Sequence, residues 1–175
     1  VIICSLIALI IYRRNHKSHL NQIFIVTTIL GTYWAFAVMM MSLAGDPETA
    51  IFWKKVGFLW PILFTLVFQF VLAFTQNRYA KSKRVFSLTL IPSMVLAFWD
   101  LLTGEISGPP VLHYTGYAFL GQLNIAYGIF TIWNFGLMLS AVYLSLRFYL
   151  TIKEETKKKQ AKLVTFAVFM PVVFQ

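Results

Sequence analysis

WPILFTLVFQFVLAF, Trp60 to Phe74, carries no charged side chain and is apolar nearly all the way round a helical wheel. A helix on the surface of a soluble domain keeps a polar face opposite an apolar stripe at i, i+3, i+4 and i+7. This stretch has no such face, so it expects lipid or protein on every side. Read outward to 56–76, it reaches the roughly 20 helical residues that cross a hydrocarbon core. Three further runs, 21–43, 85–102 and 123–148, are as long, and Asp100 is the only acidic residue in any of them. A chain that is 59% hydrophobic and 12% charged has too little polar surface to enclose four such helices in a soluble protein. The expected fold is all-α, a polytopic transmembrane helix bundle forming a single domain over 1–175.

Two shorter apolar runs, 1–12 and 163–175, lie at the ends of the sequence and are expected to be parts of truncated spans, giving six spans with four complete. The first residues have neither the basic front nor the cleavage site of a signal peptide. Cys4 is the lone cysteine, so no intrachain disulfide can form.

The basic residues alternate with the spans. Arg13, Arg14 and Lys17 follow the first; Arg78, Lys81, Lys83 and Arg84 follow the third; Arg147, Lys153, Lys157, Lys158, Lys159 and Lys162 follow the fifth. These are 13 of the 15 Lys and Arg. The second and fourth connections hold Lys54 and Lys55 beside Asp46, Glu48, Asp100 and Glu105. The positive-inside rule then places the odd connections in the cytoplasm and the N-terminus outside a multi-pass protein of the cell membrane. The net charge of +9 is spread over three juxtamembrane loops, a pattern that lipid headgroups satisfy and that calls for no nucleic acid. Trp53, Trp60, Trp99, Tyr114 and Tyr117 form an outer aromatic belt, and Tyr12, Tyr79 and Tyr149 an inner one. Trp34 and Trp133 fall near mid-span, where the indole N–H needs a partner inside the bundle.

Two connections stand out. Residues 103–122, with Gly104, Gly108, Pro109 and Pro110, read as a structured loop over the outer mouth of the bundle. From Arg147 to Lys162 there is neither Gly nor Pro, and Glu154/Lys158 and Glu155/Lys159 are favourably ordered i, i+4 pairs, so the fifth helix is expected to continue into the cytoplasm before turning back.

Catalytic chemistry is not indicated. His16 and His19 lack further metal ligands nearby, and no phosphate-binding glycine loop, carboxylate pair or nucleophile–base set is present; no cofactor is expected. His113 reads as a loop histidine, with a pH sensor as the sharper alternative. No span contains a buried Lys, Arg or Glu along its length, against the needs of an ion pump or proton relay. Polar groups at membrane depth say more. Gln69 lies within the third span, and Tyr127, Thr131 and Asn134 recur on one face of the fifth with Met138. Two readings remain open: interhelical hydrogen bonding, and a small-molecule pocket. The pocket would be walled by Trp60, Trp99, Tyr127 and Trp133 and closed by the loop bearing His113 and Tyr114, with Gln69, Thr131 and Asn134 as polar anchors. Asp100, at the outer end of the fourth span, belongs to the candidate pocket and could anchor a cation there, bond a partner helix or be hydrated.

FWKKVGFLWPILFTLVFQFVLAFT, Phe52 to Thr75, resembles the third helix of the N-terminal seven-transmembrane sensor region of prokaryotic histidine kinases, through Trp53, Lys54 or Lys55, Gly57, Pro61, Phe64 and Phe68. KKKQAKLVTFAVFMPVVF, Lys157 to Phe174, is similar to the opening of that family's sixth helix, through Gln160, Ala161 and Pro171. Pro61 and Pro171 each remove a backbone donor and favour a helix kink. The resemblance implies a receptor module for a small molecule or a membrane state, with a seventh helix leading to a C-terminal kinase or other output domain in the parent protein, and a homodimer. The family shares no one ligand, so no binding residues carry over. The rival from another class is a transporter or channel subunit; a retinal light sensor would need a Lys in the seventh helix.

Overall fold

The computed structural model describes residues 2–119, 121 and 123–173. Its elements are α1 (Ile2–Asn15), α2 (His19–Ser42), α3 (Pro47–Val56), α4 (Trp60–Phe74), α5 (Lys83–Thr103), a hairpin of β1 (Pro110–His113) and β2 (Gly116–Phe119), α6 (Ile125–Thr151) and α7 (Glu155–Val173). α1, α2, α4, α6 and α7 form a row in which each packs on the next, and α5 leans against α4. α4 is therefore the helix with protein on three sides, burying Pro61, Ile62, Thr65, Leu66, Gln69, Val71 and Leu72. That position explains a sequence with no polar face. The outer helices bury one face and show lipid another that is equally apolar: Leu88, Ile91, Val95, Phe98 and Leu102 run down the exposed side of α5, with Leu102 82% accessible, and Ile132 of α6 is 77% accessible. Such stripes call for hydrocarbon or a partner helix rather than water. By length and composition, four helical stretches can cross a membrane: α2, α3 with α4, α5 and α6.

The ends of the bundle are defined by contacts as well as by charge. At the basic end a ring nitrogen of His19 lies 3.0 Å from the Ala80 carbonyl, joining the first and third connections. At the opposite, acidic end the Lys54 ammonium donates to the Gly108 carbonyl, joining the second and fourth.

Two expectations are corrected. Pro61 does not kink a continuous helix: α3 ends at Val56, a turn covers Gly57 to Leu59, and Pro61 sits in the first turn of α4, where its missing N–H costs nothing. Nor does α6 extend through the basic run. It stops at Thr151 and α7 starts at Glu155, eight residues before the expected start of the last span. Glu154 and Glu155 mark that start because carboxylates complement the positive end of a new helix. Glu154 pairs with Lys157 at 2.7 Å, a spacing of three rather than the expected four. α7 is helical through position 171; the side chain there, on which the expected kink turns, lies outside the described residues, as do 174 and 175 of the expected last span.

Candidate functional site

The polar groups at membrane depth find one another. Thr65 and Gln69 are one turn apart on α4, and Thr89 and Ser93 one turn apart on α5, so each pair presents two polar groups on one face. The Gln69 amide donates to Thr89 Oγ1 at 2.9 Å. Thr65 Oγ1 donates to the Thr89 carbonyl at 3.0 Å and lies 2.7 Å from Ser93 Oγ. From α6, Trp133 Nε1 reaches Ser93 Oγ at 3.0 Å. Three helices are thus joined at Ser93, whose side chain is fully buried. Pro92 lies beside this node and within α5. Having no N–H, it leaves the Leu88 carbonyl without its helical donor, and the hydroxyls of Thr65 and Ser93 gather around the carbonyl of Thr89 next to it.

Above the node the bundle is filled with rings. Trp60 and Phe130 lie 4.6 Å apart between centroids, and Leu96, Ile106, Ala126 and Phe130 form a buried cluster flanked by Trp60, Phe64, Tyr127 and Trp133. The Tyr127 ring is covered by the chain at Gly121, where a Cβ would come within 2.4 Å of it.

The acidic end is knitted by the segment after α5. The Asp100 carboxylate, buried, accepts from the backbone N–H of Ile106 and Ser107 at 3.2 and 2.9 Å and from Ser107 Oγ at 2.7 Å. Trp99 Nε1 donates to Glu105 at 2.9 Å. Asn124, the N-cap of α6, accepts from Tyr127 N and donates to the Glu105 carbonyl, both at 2.8 Å. Between α3 and this segment lies a cavity of about 350 Å³ bordered by Lys54, Lys55, Asp100 and Glu105. It is the charged opening at this end of the bundle.

The residues expected to form one pocket are divided by the structure. Trp60, Tyr127 and Trp133 do converge, around Phe130 rather than around a void. Gln69 and Asn134, each 1% accessible, differ: Gln69 bonds α5, whereas Asn134 donates to the Phe130 carbonyl of its own helix at 2.8 Å and its Oδ1 has no partner among the described residues. Thr131 is exposed, since three residues at 100° each leave it about 60° from Asn134, at the edge of the buried arc. Trp99 points outward and is half exposed. His113 and Tyr114 are exposed, Tyr114 completely. They do not close the expected pocket, because Tyr117 anchors the hairpin on Met41 and Ala50 and carries its tip over the end of α2. Gly116 there adopts φ +109°, and a Cβ would come within 2.0 Å of the Ser42 carbonyl.

The described residues form a helical bundle stitched by hydroxyls and rings, with one basic end. The model of one protein family, described as the N-terminal 7TM region of histidine kinase, matches residues 1–175. The chain belongs to this family. No curated protein matches it, and neither does any solved structure.

As a histidine-kinase 7TM region the chain is a sensory module of a multi-pass membrane protein, and the catalytic part of such a protein lies outside it. Sequence reasoning found Gln69 and Trp133 but missed their partners. The four-residue spacing of Thr65 with Gln69 and of Thr89 with Ser93 was the available signal, as was Pro92 between the latter two. Of the two residues that tie the acidic end together, Lys54 entered only through the resemblance, with Lys55 as its alternative, and Asn124 had no signal beyond being polar.

Proposed function

We propose that this 7TM region receives its stimulus, a small molecule or a membrane state, at the acidic end and passes it along α5 to a C-terminal histidine kinase in a phosphorelay. The carrying observation is that α5 is held at two levels. Asp100 fixes its last turn to the segment bordering the charged cavity, and Ser93, two turns further in, fixes it to α4 and α6. A ligand that displaces Lys54 from Gly108, or draws on Asp100, shifts the equilibrium between packings of α5, which is the form differential binding takes in a sensor. The positive-inside rule supports a cytoplasmic basic end and an external N-terminus, and the parent works as a homodimer in this reading. The break before Pro61 lies at the mouth of the bundle and not at its midplane, unlike the broken spans of transporters.

The test is phosphate incorporation from labelled ATP by the full-length protein in nanodiscs. Ser93→Ala is expected to change the basal yield of acid-labile phosphohistidine about threefold or more, as loss of about 1 kcal/mol of interhelical bonding allows, with unchanged membrane insertion. No phosphohistidine from the parent protein would overturn the kinase output, and an unchanged yield in the variant would overturn the route through Ser93.

A further inference from the structure

The basic end is built differently from the rest of the bundle. α5 and α6 both rest on α4, and below the Ser93 node no ring or hydrogen bond among the described residues joins them to each other. A cleft of about 1000 Å³ lies there, floored by Phe68 and Leu72 of α4, walled by Leu139 and Tyr143 of α6, and carrying Arg78 and Arg147 at its mouth. No acid lines it. The two acids at this end, Glu154 and Glu155, stand at the start of α7, where Glu154 is taken by Lys157. Among the described residues neither guanidinium has an ion-pair partner. Arg78 is held in place by its neighbour: Nη2 donates to Tyr79 Oη at 2.6 Å, and the guanidinium lies 4.6 Å from the ring centroid.

We infer that this cleft is a binding site for one anionic phospholipid, its phosphate held between Arg78 and Arg147 and an acyl chain laid between α5 and α6 on the floor of α4. Charge complementarity decides the occupant. A helix laid in the cleft would need an acid of its own at the mouth to neutralise the two guanidinium groups, and the exposed apolar stripes of this chain offer none to a second copy. A phospholipid brings a phosphate at headgroup level and a chain for the apolar floor, and guanidinium groups match phosphate oxygens geometrically as well as in charge. Basic pockets between helices on the cytoplasmic side are suited to such lipids. The choice of the cytoplasmic leaflet rests on the orientation proposed above, whereas the binding itself does not.

The test is native mass spectrometry of the full-length protein released from vesicles of equal parts phosphatidylglycerol and phosphatidylcholine, with a benzoylphenylalanine photocrosslinker at position 139 as a second measurement. The expected result is one phosphatidylglycerol retained per protomer with a preference of about thirtyfold, about fivefold for each basic side chain at an anionic headgroup. Arg78→Gln and Arg147→Gln should each reduce that preference about fivefold, the double variant should abolish it, and Arg78→Lys should keep most of it. Lys157→Gln should leave it unchanged. Irradiation should add the mass of a phospholipid at position 139. Equal retention of the two lipids would overturn the inference, as would a crosslink from 139 to polypeptide, which would identify a helix or a second copy as the occupant. Neither readout uses phosphorylation, so failure of the site is distinguishable from failure of the kinase reading.

Discussion

The acidic and basic halves of α5 meet the same two neighbours in different ways. Toward the acidic end, Leu96 shares a buried cluster with Phe130 of α6, the Asp100 segment bonds Asn124, and Ser93 receives the Trp133 indole. Toward the basic end, α5 keeps its hydrogen bonds to α4 through Thr89, while α6 stands off across the cleft. One half is knitted and the other is hinged open. Held to both neighbours at the acidic end and to α4 alone toward the basic end, α5 can turn a small displacement at the first into a change of its spacing from α6 at the second. This geometry suits the route through α5 proposed above.

The sharpest way to break the contrast is to unpick the knitted end. Asp100→Ala strands two buried amides and a hydroxyl and should lower stability by about 3 kcal/mol, measured as thermal unfolding in detergent; Asp100→Asn should lose less. Next comes packing. Ala97, fully buried on α5, should tolerate enlargement poorly, with Ala97→Leu costing about 2 kcal/mol. Ser93→Ala should cost about 1 kcal/mol, and its combination with Trp133→Phe should fall short of additivity, because both remove the same bond. On the hinged side, Leu139→Phe should lie within about 0.5 kcal/mol of the parent, since the cleft accommodates the added ring. A cost as large as that of Ala97→Leu would erase the distinction between the halves.

The smallest effect concerns pH. Asp46 caps α3, and hydrogen bonds from the backbone and side chain of Thr49 hold its carboxyl below the usual value of 3.8. A folded-state pKa lowered in this way gives a contribution present in full above the unfolded value and lost as pH falls through the lower folded one. Protection of the Thr49 amide from hydrogen exchange, relative to the intrinsic rate, should therefore hold down to about pH 4 and decline below it. In Asp46→Asn it should not change over that range.

Much of this was readable from the chain, for reasons that differ by region. Long apolar runs are legible because a hydrocarbon core demands them whatever they pack against; the helices α2, α5 and α6 begin and end within three residues of such runs. The all-round apolarity of Trp60 to Phe74, read only as a demand for lipid or protein on every side, belongs to the helix that meets α2, α5 and α6. Legibility failed where a choice depended on tertiary partners. Pro61 starts a helix or kinks one according to what Gly57 to Leu59 do. Thr131 and Asn134 share a sequence pattern, yet only Asn134 faces protein. His113 and Tyr114 sit on a hairpin whose position is set by Tyr117, read in the sequence only as a belt residue. Ser93, the node of the structure, is one small polar residue beside a proline; its spacing of four from Thr89 marks a shared face, but which helices that face meets depends on its neighbours.

The most direct test is a pair of spin-label distances in the full-length protein on a Cys4→Ser background. One pair, at Phe86 and Leu150, spans α5 and α6 at the basic end; the other, at Leu102 and Ile125, spans them at the acidic end. All four side chains are exposed. Ser93→Ala should broaden and lengthen the basic-end distribution while leaving the acidic-end pair as it is. Equal change at both ends, or none at either, would contradict the hinge.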